Sequence, residues 1–206
     1  MQRGDAPALD PIDRILLVPR WSGTATSDFY PWLERELASR APGARLEVAP
    51  LLPAPDRPEI EACLEALAGL DPSRTLLVGH SVGCQVLARA LACLPDDARA
   101  PALLCVAGWW TVDRPWDTLR PWIETPFDHA RAAARCARIE VLLSDNDPFT
   151  SDAEQTRRRF VEALGAEVQI APGRKHFNAS EEPAVLAAVL RLLGRRSTED
   201  PALDSR

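Results

Sequence analysis

A serine lies at the centre of a five-residue pattern that is typical of an activated nucleophile. Residues 79–83 read Gly-His-Ser-Val-Gly, which fits G-x-S-x-G with Ser81 in the middle. In this pattern the serine occupies a tight turn, and glycines flank it because a Cβ would clash with the crowded backbone. A hydroxyl raised in this way can attack a carbonyl carbon. The N–H of the next residue, Val82, can then stabilise the oxyanion that forms.

The residues on both sides of Ser81 support this interpretation. The apolar run 76–78 predicts a buried strand before the turn, and the stretch 82–93 predicts a helix after it. The alternative is a glycine-rich turn that packs closely and does no chemistry. The strand–turn–helix context favours the nucleophile.

A serine nucleophile needs a base, and the chain has three histidines. His80 is adjacent to Ser81, so its side chain diverges from the serine and is expected to pack within the turn. His129 is expected on the surface, near the start of a helix. His176 follows the last predicted strand, which is where the base of such a triad belongs. A solvated loop histidine is the alternative for this residue.

Two aspartates compete to be the carboxylate that orients the base. Asp145 and Asp147 both lie in the loop after the fifth predicted strand. A carboxylate there would hold His176 in the correct tautomer and stabilise its imidazolium. Asp147 could instead be a turn residue before a proline. It is not needed as a helix cap, because Ser-Asp-Ala-Glu at 151–154 supplies a capping box.

The elements that must position these side chains alternate along the chain. Apolar runs predict strands at 14–19, 45–49, 75–78, 102–107, 139–143 and 167–171. Helical patterns predict helices at about 28–40, 58–70, 82–94, 152–164 and 181–193. This alternation is typical of an α/β fold, in which a parallel sheet lies between two layers of helices.

One long segment interrupts the alternation. Residues 108–137, called the Trp-rich segment below, separate the fourth and fifth predicted strands and contain Trp109, Trp110, Trp116 and Trp122. We expect a short lid. Trp109 and Trp110 are candidates to shape an apolar acyl pocket, and at least half of the tryptophans are expected to pack the lid onto the core.

Length and composition exclude several classes of protein. With 206 residues, one domain is expected over 12–194, with flexible tails at 1–11 and 195–206. The net charge is −6 and the basic residues are scattered, so no nucleic-acid partner is expected. No apolar stretch suits a membrane span, and residues 1–11 do not resemble a secretory signal.

The five cysteines are odd in number and lie mostly among apolar residues. They are expected to be reduced core residues of a cytoplasmic protein, not a disulfide framework. No Cys-x-x-Cys pair or histidine cluster indicates a metal, and no cofactor is expected.

Together these motifs resemble the small serine hydrolases of the α/β-hydrolase superfamily that are related to the retinoblastoma-binding serine hydrolase and to bacterial YdeN-type proteins. The resemblance covers about 14–193. Besides the Ser81 pattern, it rests on Leu-Leu-Val-Pro at 16–19, Asp-Phe-Tyr-Pro-Trp-Leu at 28–33, Asn-Asp-Pro-Phe at 146–149 and His-Phe-Asn at 176–178.

The resemblance implies an α/β-hydrolase-like three-layer sandwich with six parallel strands. It also implies that the acid is the Asp before Pro, Asp147, and that the second oxyanion N–H belongs to Trp21. Two residues depart from the family, because Arg20 and Lys175 stand where glycine is usual. Lys175 is expected to point to solvent, since a cation beside His176 would disfavour its protonated form.

Arg20 has two interpretations. Its guanidinium could reach over the pocket mouth and bind an anionic group of the substrate. It could instead turn away and pair with a nearby carboxylate, such as one from the 145–147 loop.

The function expected from these residues is hydrolysis of an ester, thioester or amide of a small acyl substrate, through an acyl-enzyme at Ser81. A non-catalytic protein-binding module on the same scaffold is the first alternative. Cleavage of a C–C bond by the same triad is the second. The sequence names neither the substrate nor a protein partner.

Overall fold

Six parallel strands form one sheet in the computed structural model, which describes residues 12–50, 61, 64 and 71–195. The strands are β1 (Arg14–Val18), β2 (Arg45–Val48), β3 (Thr75–His80), β4 (Ala102–Val106), β5 (Ile139–Ser144) and β6 (Glu167–Ala171). Their order is β2-β1-β3-β4-β5-β6. Each predicted strand overlaps an observed one, so the predicted sheet is confirmed.

The helices of the described residues are α1 (Tyr30–Arg40), α2 (Val82–Cys93), α3 (Arg120–Glu124), α4 (His129–Ala134), α5 (Ala153–Leu164) and α6 (Pro183–Leu192). The helix predicted at 58–70 and the tails predicted at 1–11 and 195–206 lie outside the described residues, apart from residues 61, 64 and 195. The short helix α3 was not predicted, whereas α4 begins at His129, where the start of a helix was expected. Both lie in the Trp-rich segment.

Helix α5 starts from a different cap than the sequence predicts. Asp152 is the N-cap, and its carboxylate accepts a hydrogen bond from the Gln155 N–H at 2.7 Å. The predicted box placed Ser151 in that role, one residue too early. Both residue types favour this position, so the pattern alone does not select between neighbours.

Each face of the sheet carries its own apolar core. On one face α2 and α5 cover the sheet, and Trp109, Trp122 and Phe160 are almost fully buried there. On the other face α1 and α6 cover it, with Tyr30 and Phe177 fully buried. Strands β3, β4 and β5 are buried along their whole length, which explains why they read as continuous apolar runs.

The strand order places a crevice where the site residues are expected. Strand β1 pairs with β2 on one side and with β3 on the other, so the chain changes direction across the sheet at this point. In parallel α/β sheets, ligands bind beyond the carboxyl ends of the strands at such a switch. The loops after β1 and β3 carry Trp21 and Ser81 to this edge.

Candidate active site

Ser81 occupies the turn between β3 and α2 with φ 56° and ψ −117°, a conformation that only a tightly determined turn imposes on a non-glycine residue. A Cβ on Gly79 would lie 2.6 Å from the Cys84 nitrogen, and one on Gly83 would lie 2.1 Å from the Val18 carbonyl oxygen. Both glycines are therefore required sterically. The expected strand–turn–helix context is present.

His176 and Asp147 form a buried pair. His176 Nδ1 lies 2.7 Å from Asp147 Oδ2, and each residue is 5% exposed. Because an ionised carboxylate can only accept, Nδ1 carries the proton and Nε2 remains free to take one. Asp147 Oδ1 accepts a second hydrogen bond from the Phe149 N–H at 2.9 Å, which fixes the carboxylate.

Asp145 has a different task. Its side chain accepts a hydrogen bond from the Gly173 N–H at 2.7 Å, and the neighbouring Asn146 Oδ1 accepts one from the Lys175 N–H at 2.8 Å. These contacts tie the loop after β5 to the loop that carries His176. The structure brings Asp147, and not Asp145, against the imidazole. Lys175 is exposed, as the sequence predicts.

The hydroxyl of Ser81 has an unexpected partner. Trp109 Nε1 lies 3.3 Å from Ser81 Oγ and donates to it. No hydrogen bond joins Ser81 to His176 in this structure, although both residues line the same cavity. Contacts between nucleophile and base are often loose before substrate binds and tighten in the complex.

Two backbone N–H groups are available to bind an oxyanion. Val82 is the first residue of α2, so its N–H has no acceptor inside the helix. Trp21 follows β1, and its N–H makes no hydrogen bond with the described residues. Both residues line the Ser81 cavity. The adjacent N–H groups are occupied, since Ser81 donates to Val106 and Arg20 donates to the Tyr30 hydroxyl.

The Ser81 cavity has a volume of about 390 Å³ and is mainly apolar. Its apolar walls are Trp21, Val82, Trp109, Val112, Trp116, Leu119 and Phe149, and its polar groups come from Arg20, Ser81, His176 and Asn178. The volume lies near the lower end of the range for small-molecule sites. The cavity is suited to a small acyl group with few polar atoms.

Arg20 is paired within the protein. Its Nε donates to Asp28 Oδ2 at 2.6 Å, and its Nη1 donates to the Trp21 carbonyl at 2.9 Å. The hydrogen bond that Arg20 donates to Asp28 raises the pKa of Arg20. The partner suggested from the sequence, a carboxylate of the 145–147 loop, was wrong. Asp28 is close because it precedes α1 with a left-handed φ of 50°.

Of the two tryptophans expected to shape the acyl pocket, Trp109 lines the Ser81 cavity and Trp110 does not. Trp110 lies in a second cavity, where it stacks on Phe127 at 6.0 Å between ring centroids. The structure therefore does not bring Trp110 to Ser81. Trp116 lines the Ser81 cavity instead, 6.2 Å from the ring of Trp21. Trp110 and Trp116 differ in the cavity that the tertiary fold places them in, and the local sequence does not show this difference.

Phe149 was missed as a site residue. Its ring lies edge-on to the His176 imidazole at 4.7 Å and remains 39% exposed. The signal was present in the sequence, because Phe149 follows the Asp147-Pro148 pair that was already singled out. Asn178 is a second omission, and its side chain donates to Asp28 at 3.1 Å.

His80 packs inside the turn, as expected, and its side chain hydrogen-bonds to the backbone of His176. It is fully buried, and its Nε2 donates to the His176 carbonyl at 2.9 Å while Nδ1 accepts from the Tyr30 hydroxyl at 2.8 Å. Burial, and secondarily the neighbouring His176, lower the pKa of His80 to about 3. The imidazole is thus neutral and structural at ordinary pH.

The sequence and the fold are similar to those of known proteins. Residues 15–195 match the family model described as "Serine hydrolase". The chain belongs to the serine hydrolase family. Among curated relatives, this serine hydrolase is 24% identical over 162 residues to YdeN of Bacillus subtilis (strain 168), a protein named only as a hydrolase; the match covers 76% of this chain and 83% of YdeN. The predicted likeness to YdeN-type hydrolases is confirmed.

Solved structures agree on the fold. The B. subtilis ydeN gene product superposes with a TM-score of 0.76 at 18% identity, over 89% of this chain and 100% of that one. Est1E from Butyrivibrio proteoclasticus gives 0.63 at 13% identity, over 89% of each chain. A structure reported with carboxylesterases of Nitrososphaera gargenis gives 0.65 at 11% identity, over 91% and 92%. The predicted α/β-hydrolase fold is confirmed.

Two kinds of feature are absent from the described residues. None of their helices has the length and apolar character needed to cross a membrane. They also contain no group of three or more His, Cys, Asp or Glu side chains arranged to hold a metal ion.

Proposed function

We propose that this serine hydrolase cleaves a small, neutral ester, thioester or amide through an acyl-enzyme on Ser81. One observation carries the proposal: His176, whose Nδ1 lies 2.7 Å from the buried Asp147 Oδ2, lines one apolar cavity together with Ser81. The carboxylate holds the histidine base in one tautomer, and the tight turn presents the Ser81 hydroxyl to the cavity.

The proposed acylation begins with proton transfer from Ser81 Oγ to His176 Nε2. The Oγ forms a bond to the carbonyl carbon, and the carbonyl oxygen becomes an oxyanion that accepts from the Val82 and Trp21 N–H groups. His176 then gives its proton to the leaving group as the bond to that group breaks. Asp147 stabilises the imidazolium between these two events.

Deacylation repeats the sequence with water. His176 takes a proton from the water, whose oxygen attacks the acyl carbon. The bond from that carbon to Ser81 Oγ breaks, and His176 returns its proton to Oγ. The carboxylic acid leaves and the hydroxyl is restored.

The cavity favours an uncharged acyl group. Among the described residues that line it, Arg20 is the only arginine or lysine, and Asp28 neutralises that charge at 2.6 Å. The remaining walls are aromatic and aliphatic, so burial of an apolar acyl chain supplies the binding energy, about 0.8 kcal/mol per methylene. Activity on p-nitrophenyl esters of graded chain length should therefore rise with length until about 390 Å³ is filled.

Covalent labelling tests the proposal directly. A fluorophosphonate probe should attach to Ser81, and Ser81→Ala should lose both labelling and hydrolysis. Ser151→Ala is the matched control, because Ser151 is exposed and its hydroxyl makes no contact with the site. A folded protein with no adduct on Ser81 would overturn the catalytic role and favour a non-catalytic binding module.

We also propose a cytoplasmic location, on the state of the thiols. Cys84, Cys105 and Cys136 are free and buried, and burial raises the pKa of Cys136 to about 12. Such thiols are inert core residues that need no oxidising compartment. Fractionation of cells that express the tagged chain would test this location, and recovery of the protein outside the cytoplasm would overturn it.

A further inference from the structure

A second cavity, of about 400 Å³, lies between α2, the Trp-rich segment and α5, and no step of the proposed reaction uses it. Its walls include Gln85 and Arg89 of α2, together with the aromatic side chains of Trp110, Trp122, Phe127 and His129. The cavity therefore combines aromatic walls and several polar groups with one deeply placed cation.

The cation is Arg89, which is only 4% exposed and has no ion pair among the described residues. Its guanidinium donates to neutral acceptors: Gln85 Oε1 at 2.6 Å, the Trp122 carbonyl at 2.8 Å and the Thr125 carbonyl at 2.7 Å. The Phe127 ring lies 4.5 Å from it. A buried charge without a counter-charge is costly, and burial alone lowers the pKa of Arg89, to about 10.

Three buried donors around this cavity have no acceptor. Arg89 Nε, Trp110 Nε1 and Trp122 Nε1 are each buried and make no hydrogen bond within the part of the chain that the structure describes. All three residues line the cavity. Buried N–H groups are almost always satisfied, so three unsatisfied donors around one space, one of them on an unpaired cation, favour an anionic acceptor supplied by a ligand.

The carboxylates near this cavity do not supply that acceptor. Glu124 is exposed and pairs with Arg120 at 3.6 Å. Glu162 is exposed on α5, one turn from Arg159, which is also exposed. These two side chains lie at the rim of the cavity and carry charges of opposite sign. Charges at an exposed rim are screened by solvent and salt, so the single buried cation, Arg89, sets the preferred ligand charge at one negative charge.

We propose that this second cavity binds a small monocarboxylate with an aromatic or branched apolar body. The carboxylate accepts from the Arg89 guanidinium and from the indole N–H groups of Trp110 and Trp122, and the apolar body packs against Phe127. Trp110 is half-buried, so its ring is the part of the wall that yields when the ligand enters.

The cavity is connected to the nucleophile by a continuous set of contacts. Arg89 donates to Gln85, Gln85 donates to the Trp109 carbonyl, and the Trp109 indole donates to Ser81 Oγ. The binding proposal does not depend on this connection or on the proposed reaction. It is tested by binding alone.

Calorimetry with benzoate and benzamide as probes tests the site, because the two have the same shape and differ in charge. Benzoate should bind the full-length protein, and benzamide should bind at least tenfold more weakly. Trp110→Phe keeps the ring and removes one donor, so it should weaken benzoate binding several-fold. Arg89→Lys keeps the charge but loses the forked donor, and should weaken binding tenfold or more.

Trp116→Phe is the matched control, since Trp116 lines the Ser81 cavity instead. It should leave benzoate binding unchanged. No binding at 10 mM benzoate, equal binding of benzamide, or loss of binding in Trp116→Phe but not in Trp110→Phe would each overturn the proposal. If Arg89→Lys unfolds by circular dichroism, the comparison of Trp110→Phe with Trp116→Phe still decides.

Discussion

The indole N–H of Trp109 donates to Ser81 Oγ across 3.3 Å. The tryptophan is held in place from the other side, because the Gln85 side chain donates to its carbonyl oxygen. The indole therefore presents a fixed positive dipole to the atom that must leave as an alkoxide when an acyl-enzyme is hydrolysed. Preorganised donors of this kind stabilise developing negative charge at little reorganisation cost.

Replacing Trp109 by Phe keeps the ring and removes the donor. We expect Trp109→Phe to slow deacylation by about tenfold, because one hydrogen bond to the departing oxygen, about 1.4 kcal/mol, is lost. Stopped-flow assays with a p-nitrophenyl ester should then show a larger burst before the steady state. Trp110→Phe, which removes an indole N–H far from Ser81, should leave the burst unchanged. Identical kinetics in the two variants would contradict a role for the donor.

The second prediction separates the two aspartates of one loop. Asp147→Asn should lower kcat by about 10⁴-fold, because the amide can no longer hold His176 in its productive tautomer. Asp145→Asn should leave kcat almost unchanged, since the Asp145 side chain accepts from the Gly173 backbone and, among the described residues, bonds to neither Ser81 nor His176. Steady-state assays on both variants, with circular dichroism to verify folding, make the comparison. A damaged Asp145→Asn beside a nearly silent Asp147→Asn would reverse the assignment of the acid.

The third prediction concerns Arg20. Its pairing with Asp28 makes it a tether between the loop after β1 and the start of α1. Arg20→Ala should lower the free energy of unfolding by about 1 kcal/mol and affect neutral and carboxylate-bearing esters alike. Arg14→Ala, which breaks an exposed pair with Glu47, should cost almost nothing. A rise in KM confined to carboxylate-bearing esters would instead assign Arg20 to substrate binding.

The fourth prediction follows from the buried His80. Its pKa is about 3 in the folded protein, against about 6.5 for an unfolded chain. Between these values the unfolded chain binds a proton here that the folded chain does not. The free energy of unfolding should therefore fall as pH drops from about 6.5 towards 3, by up to about 1.4 kcal/mol per pH unit from this residue.

Urea denaturation over this pH range measures the effect. His80→Gln is uncharged at every pH, so its stability should decline less steeply with acid, by up to one proton's slope. His129→Gln is the comparison, because burial also lowers the pKa of His129 but this side chain is only partly buried. An unchanged acid slope in His80→Gln would show that His80 does not control acid stability.

The sequence was most informative where structure depends on neighbours in the chain. The turn around Ser81 is specified by five consecutive residues, and the buried strands by continuous apolar runs. Sequence reasoning was weakest where the partner lies elsewhere in the fold. Arg20 meets Asp28 only because a left-handed residue bends the chain before α1, and no composition rule predicts that.

The Trp-rich segment shows the same limit. Helices α3 and α4 are too short to be stable alone. Arg89, which belongs to α2, stabilises the end of α3 by donating to the Trp122 and Thr125 carbonyls. Because this contact is tertiary, the local sequence predicts neither α3 nor which tryptophan faces Ser81.

The close approach of Gly83 to Val18 has a consequence for how activity is acquired during folding. A Cβ at Gly83 would lie 2.1 Å from the Val18 carbonyl, and Val18 itself pairs with Gly79 between β1 and β3. The turn around Ser81 can reach its final shape only when two strands distant in sequence have docked. Contacts of this range form late. Refolding chains should therefore regain helical signal first and a reactive serine last.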